Sequence, residues 1–132
     1  MNSEILKSVE VFAANKKFAV GNDIVFIPDF EKSFNPLFKN KVYTANEIAY
    51  CELFDNALLR YASTWAAKEA VYKAIKQVNN ALLSWKKIEI TRDKIAGKPS
   101  VTLHNNQDPL SMSLSISHDG DYVWAIAFAE KI

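Results

Sequence analysis

Cysteine is nearly absent from this chain of 132 residues, and the single Cys51 excludes an internal disulfide. It fits a reducing compartment and, by default, a buried apolar role. An excess of one charge is missing as well: 16 Lys and Arg stand against 15 Asp and Glu, a formal net charge of +1. No strong field for nucleic acid or a membrane surface follows from that balance. The chain has no run of about 18 apolar residues, so no membrane span is expected. Residues 1–17 carry Glu4 and Glu10 and lack the uninterrupted apolar centre of a secretion signal, so the expected location is the cytoplasm. No Gly/Ser-rich linker divides the chain and no internal repeat stands out, which makes one domain over 1–132 the simplest organisation. Several chemistries are also excluded. No Cys/His cluster supports zinc, Gly97-Lys98-Pro99 is not a phosphate-cradling loop, and no order of Asp, His and Ser supports a hydrolase triad.

What is present is an ordinary folding composition, 49% hydrophobic and 23% charged. The aromatics are interleaved with apolar residues rather than basic ones, which favours core packing over stacking on nucleic-acid bases. Residues 5–14 read as either a short helix or a strand. Phe18 to Ile27 reads as a buried strand interrupted by Gly21-Asn22-Asp23 and ended by Pro28. Residues 29–41 suggest a short helix before Pro36 and then a loop. Thr44-Ala45-Asn46-Glu47 has the form of a capping box opening a helix from Ala45 to about Cys51. A longer helix is predicted over Asp55–Val78, with Asn79-Asn80 as its stop. The period then changes to that of strands. Ile88–Thr91, Ser100–Leu103, Met112–Ser117 and Tyr122–Ala129 alternate, with a loop over 104–111 and a hairpin turn at His118–Asp121. Helices first and strands after imply an α+β domain with an antiparallel sheet.

The segment Trp65–Ala74 places one acid and two lysines in an alanine-rich helix. Glu69 and Lys73 are four apart and share a face, whereas Lys68 projects about 100° away. The plain reading is an ion pair on a solvated helix, with Lys68 a surface lysine. The alternative is a catalytic face. Asp23 has two readings too: a turn residue bonded to nearby amides, helped by Gly21 and Asn22, or a partner of Glu69 around a magnesium ion. In the second case Lys73 would stabilise charge on a bound phosphate. His118, beside Ser115 and Ser117 at the hairpin end, is either solvated or a donor to phosphate.

Together these segments resemble the 4′-phosphopantetheinyl transferase superfamily, specifically its short holo-acyl-carrier-protein synthase type. Gly21-Asn22-Asp23-Ile24-Val25 looks like the family's Gly-x-Asp strand motif, and Val42-Tyr43-Thr44 with Glu47-Ile48 like its helix entry. Trp65–Ala70 followed by Lys73-Ala74 is similar to its central signature. Gly97-Lys98-Pro99 and Ser115-Ile116-Ser117-His118 recur in the family's order, so the likeness spans roughly 18–130 and leaves 1–17 outside.

The resemblance implies an antiparallel sheet packed against a long helix, and a reaction. Coenzyme A is held with its diphosphate on Mg²⁺, a serine of an acyl carrier protein attacks the β-phosphorus, and adenosine 3′,5′-bisphosphate leaves. By motif position Asp23 and Glu69 are the implied metal ligands, and Glu69 and Lys73 the catalytic pair. Lys73 also contacts the phosphates, while Lys98, Pro99, Ser117 and His118 line the nucleotide side. The base is Glu69 itself or a metal-bound water. The implied partners are the carrier protein and coenzyme A, with no nucleic acid and no membrane. A homotrimer with sites between subunits is implied, as is a place in fatty acid and other lipid metabolism.

The chain departs from the family pattern in places. Thr64 stands where Arg is frequent, Phe26 where an acid is, and Ile75-Lys76-Gln77-Val78 where a Gly-Thr-Gly turn is. Residues 29–41 carry only Lys32, Lys39 and Lys41 against Asp29 and Glu31, which weakens steering of an acidic carrier. These departures leave an alternative, a member that binds coenzyme A or a carrier protein without catalysis.

Overall fold

The computed structural model describes residues 17–79, 83–95, 97–104 and 109–132; the segment 5–14 therefore lies outside the described residues. Strand β1 (Phe18–Phe26) leads into helices α1 (Ile27–Ser33), α2 (Pro36–Val42), α3 (Ala45–Cys51) and α4 (Ala57–Val78). Strands β2 (Ile88–Arg92), β3 (Pro99–Leu103), β4 (Leu110–Asp119) and β5 (Tyr122–Lys131) follow. β1, β5 and β4 form one antiparallel sheet in that order, and β2 and β3 form a second antiparallel pair. The expected α+β architecture is present, with α4 lying against the larger sheet.

Local chemistry accounts for most element boundaries. β1 runs unbroken through Gly21-Asn22-Asp23, so no turn forms there and the reading of Asp23 as a turn residue fails. Only one face of the strand is buried. Ala19, Gly21, Asp23 and Val25 face inward, while Phe18, Val20, Ile24 and Phe26 lie exposed on the outer face. Pro28 ends the strand by sitting in the first turn of α1, where a missing N–H costs no helical bond. Residues 37–41 are helical rather than loop. Asn35 caps Phe38 N at 2.9 Å, and Pro36 opens α2 instead of breaking a chain segment. The Thr44 capping box forms on both sides: Thr44 N donates to Glu47 Oε1 at 2.8 Å, and Glu47 N to Thr44 Oγ1 at 3.2 Å. In the β4–β5 hairpin, His118 and Asp119 belong to the strand, and the turn narrows to Gly120-Asp121 with Gly120 at φ 58°. β4 also starts earlier than read from sequence, at Leu110.

Helix α4 is buried on nearly every side. Ala62, Ala66, Ala67, Ala70 and Ala74 are almost wholly inaccessible, and they meet Ala125, Ala127 and Ala129 of β5, equally covered. Small side chains on both partners let helix and sheet approach closely. The approach is tightest at Gly21, where a Cβ would stand 2.1 Å from the Ala70 carbonyl oxygen and 2.6 Å from Ala74 N. On its other side α4 meets an aromatic cluster that seats α1 and α2, with Phe34 on Tyr61 at 4.7 Å and Phe38 on Trp65 at 5.1 Å between ring centroids.

Lys68 contradicts the expectation of a surface lysine. Its side chain is fully buried, and Nζ donates to Glu47 Oε1 at 2.7 Å and to the Ile88 carbonyl at 2.6 Å. Glu47 also accepts from Ile90 N at 2.8 Å, so one ion pair joins α4, α3 and β2. Burial pulls the Lys68 pKa down, and Glu47 works against that pull. Lys68→Met leaves the buried Glu47 without its cation. It is expected to lower the unfolding free energy by about 3–5 kcal/mol in urea titrations. A loss under about 1 kcal/mol would show that the pair does not hold α4 in place.

Candidate functional site

The carboxylate cleft follows from strand parity and the close crossing at Gly21. Asp23 is two residues on from Gly21 and so faces the same way, toward α4. Glu69 and Lys73, one helical turn apart, face it. Lys73 Nζ donates to Asp23 Oδ1 at 2.8 Å and to the Asn22 carbonyl at 3.1 Å. The Glu69 carboxyl stands close enough to Asp23 and Trp65 for both to act on its charge. The ion pair on a solvated helix is therefore replaced by a three-residue cluster: Lys73 pairs with Asp23, and Glu69 shares the same pocket of charge.

The electrostatics of that cluster are uneven. Asp23 is 12% exposed and Lys73 52% exposed, so the cation caps the pair from the solvent side. The hydrogen bond to Asp23 holds the Lys73 pKa above its ordinary value. Glu69 is pushed up to about 7, first by burial and then by the neighbouring Asp23, with Lys73 and Trp65 opposing. Near neutral pH this carboxyl can both give and take a proton. Two carboxyl groups in contact, one lifted by the other, are also a donor set that a hard divalent cation relieves. Mg²⁺ commonly uses one or two protein carboxylates and completes its shell with water and phosphate. Among the described residues no three His, Cys, Asp or Glu side chains converge, and the protein share of such a shell would be Asp23 and Glu69.

The cluster opens into a cleft of about 490 Å³ whose walls include Phe30, Phe38 and Trp65. Asp29, from the first turn of α1, stands at its rim. Its position here depends on α1 starting directly after β1, for which Pro28-Asp29 was the available signal. The place of Trp65 beside Glu69 in the cleft wall was likewise not read from sequence, although Trp65 precedes Glu69 by one helical turn.

The remaining predicted residues lie elsewhere. Ser117 and His118 line a separate hollow of about 340 Å³ with Ile24, Tyr122 and Trp124. His118 Nε2 is 2.8 Å from the Gly120 carbonyl oxygen. Lys98 and Pro99 sit at the β2–β3 hairpin, and neither lines the carboxylate cleft. One chain thus brings Asp23, Glu69 and Lys73 together, and does not bring Ser117, His118, Lys98 or Pro99 to them. The family departures also find places. Thr64 is 4% exposed with its hydroxyl 3.8 Å from Cys51 Sγ, a position with no room for an arginine. Phe26 points outward against Tyr122 at 5.0 Å.

A sequence model of the 4′-phosphopantetheinyl transferase superfamily matches residues 19–127. A holo-[acyl-carrier-protein] synthase of Chlamydia trachomatis is 36% identical over 120 residues, covering 86% of this chain and 99% of its own length. One from Chlorobaculum parvum is 38% identical over 117 residues, covering 86% and 98%. Among solved structures, an ACPS–CoA complex from Chronobacterium ammoniagenes superposes with a TM-score of 0.76 at 26% identity, covering 89% of this chain and 99% of that one.

The raised Glu69 value sets a pH dependence whose sign is fixed. An unfolded Glu69 titrates near 4.5 and the folded one near 7, so the native state binds the extra proton between these values. The stabilisation is present below pH 4.5 and lost as pH rises through 7. In chelator-treated protein, the stability of Glu69→Gln relative to the parent is expected to climb across that window and then level off. A difference that stays flat with pH in denaturant titrations would refute the assignment.

Proposed function

This chain belongs to the 4′-phosphopantetheinyl transferase superfamily, and on that premise we propose that it is a holo-[acyl-carrier-protein] synthase. It transfers phosphopantetheine from coenzyme A to a serine of an acyl carrier protein, leaving adenosine 3′,5′-bisphosphate. The observation that carries the reading is the meeting of Asp23, Glu69 and Lys73, three motif residues from two elements, in one cleft. Coenzyme A in the Chronobacterium ammoniagenes complex supports the choice of donor.

Asp23 and Glu69 would hold Mg²⁺, which when bound neutralises diphosphate oxygens and favours charge build-up on the leaving phosphate. The chain's own groups supply the rest. Lys73, half-exposed and paired with Asp23, would donate to phosphate oxygens, where negative charge develops. Glu69, facing the cleft beside Asp23, would take the serine proton directly or through a water. Trp65 stands beside the Glu69 carboxyl and covers one wall of the cleft, which limits water around it.

The outer face of the larger sheet bears on assembly. Ile24 pairs with Trp124 and Phe26 with Tyr122 across β1 and β5, and all four side chains are exposed, with Val20 and Ile126 extending the patch. An apolar face of this kind is rarely left open in a soluble monomer. The hollow beside Ser117 and His118 lies on its border. These features support a homotrimer in which a neighbour's Ser117–His118 and Lys98–Pro99 segments complete the nucleotide side of the cleft. A cytoplasmic setting in fatty acid synthesis accords with this reading.

Asp23→Ala and Glu69→Ala are each expected to abolish the gain of one phosphopantetheine by a carrier protein in a mass-shift assay, while circular dichroism remains native. Lys73→Ala should slow turnover by about 10²-fold. Wild-type turnover by either carboxylate variant would refute the site. Binding of coenzyme A with no mass shift on any of several carriers would favour the non-catalytic alternative. Assembly is tested separately. Trp124→Glu is expected to reduce the light-scattering mass from three chains to one, and an unchanged trimer or a monomeric parent would refute the interface.

A further inference from the structure

Lys73 holds Asp23 in a contact that a metal ion on the same carboxylate would break. Its Nζ lies 2.8 Å from Asp23 Oδ1 and 3.1 Å from the Asn22 carbonyl oxygen, so the ammonium is anchored twice on β1. The Asp23 side chain is only 12% exposed, and a carboxylate covered to that degree needs a cation beside it. Among the described residues Lys73 is the one cation within ion-pair distance of Asp23. The carboxylate so held lines the cleft of about 490 Å³ together with Glu69. Of the two acids there, Asp23 carries the ion pair and Glu69 does not.

A hard divalent cation takes the same carboxylate oxygens that accept from the ammonium. Two cations a few ångströms apart on one carboxylate repel, most of all where little water screens them. They therefore compete for Asp23. The lysine has somewhere to go, because its side chain is 52% exposed and its four-carbon stem is flexible. The Asn22 carbonyl is neutral and remains an anchor whichever cation the carboxylate holds, which keeps the ammonium beside the cleft. We propose that Lys73 is a built-in counter-cation of Asp23 with which a divalent cation must exchange, and that the exchange turns the ammonium toward an incoming oxyanion. Paired with Asp23, Lys73 neutralises a carboxylate; released from it, the same group is open to an anion. Breaking the pair is part of binding the metal, so the pair lowers affinity for metal taken alone. The exchange deepens the transferase reading, and the naming of the oxyanion as the diphosphate of coenzyme A rests on it.

The probe is Mn²⁺, which shares the oxygen-ligand preference of Mg²⁺, titrated into the full chain without coenzyme A or carrier. The paramagnetic resonance signal of the free ion reports the affinity, and thermal melts report folding. Lys73→Met is expected to bind Mn²⁺ about fivefold more tightly than the parent, or more. Lys73→Arg keeps a cation on the same helix face and is expected to show no gain. A second readout needs no variant and decides the matter if Lys73→Met melts early. The parent is acetylated with acetic anhydride at fixed pH, and each lysine is read by mass spectrometry. Saturating Mn²⁺ is expected to raise labelling of Lys73 and to leave that of Lys41, exposed on α2, unchanged. Equal or weaker Mn²⁺ binding by a folded Lys73→Met variant overturns the proposal. So does Lys73 labelling that ignores Mn²⁺, or a parent and variant that both bind none. No transfer enters these readouts, so failure here and failure of the transferase reading are distinguishable.

Discussion

The crossing of α4 over β1 at Gly21 is the constraint on which the site depends. The helix backbone passes so close that any side chain there would meet the Ala70 carbonyl. The strand is held in that position by its open edge. Lys73 donates to Asn22 O and Gln77 Nε2 to Val20 O at 2.7 Å, so two residues four apart on the helix grip carbonyls two apart on the strand. An edge strand that would otherwise present unpaired backbone groups is covered in the process. Parity does the rest, because a strand pinned at Gly21 must aim Asp23 at the same helix face. Lys73 therefore holds the strand edge and the Asp23 carboxylate with one ammonium.

A helix buried on nearly all sides has no polar face to set its rotation about its own axis. The Lys68–Glu47 pair supplies that setting from the side away from β1. Lys68 and Glu69 are consecutive and about 100° apart, so fixing one on Glu47 and the Ile88 carbonyl fixes where the other points. The capping box of α3 is part of the same device, since Glu47 Oε1 serves both Thr44 N and Lys68 Nζ. Replacing such a pair by well-packed apolar groups can match its stability, yet without the same directional constraint.

The elements legible in the sequence were those decided within a few residues: the Thr44 capping box, the alternation of the β4–β5 hairpin, and the apolar spacing of α4. Elements that were misread hinge on a local rule with two outcomes. Pro36 reads as a stop or as a first helical residue, and the Asn35 cap selects the second. The burial of Lys68 was illegible for a different reason, because its partners lie 21 and 20 residues away and no local pattern announces them. Asp23, Glu69 and Lys73 were found through motif order, and their contact depends on a separation of 50 residues between Asp23 and Lys73 that only the fold closes.

The replacement of a glycine turn by Ile75-Lys76-Gln77-Val78 has a structural consequence that bears on specificity. Four residues of helix extend α4 to Val78, and Ile75 is almost fully buried against the core while Gln77 binds β1. Where a flexible turn could present backbone N–H groups to a phosphate, a continuing helix keeps those groups bonded to carbonyls one turn back. Backbone donors are thereby withdrawn from the end of α4. On the transferase reading proposed above, contact with a phosphorylated ligand there falls to side chains, Lys73 first among them. Phosphate held by a long side chain instead of a glycine-rich backbone gains adaptability in ligand shape and gives up some preorganisation.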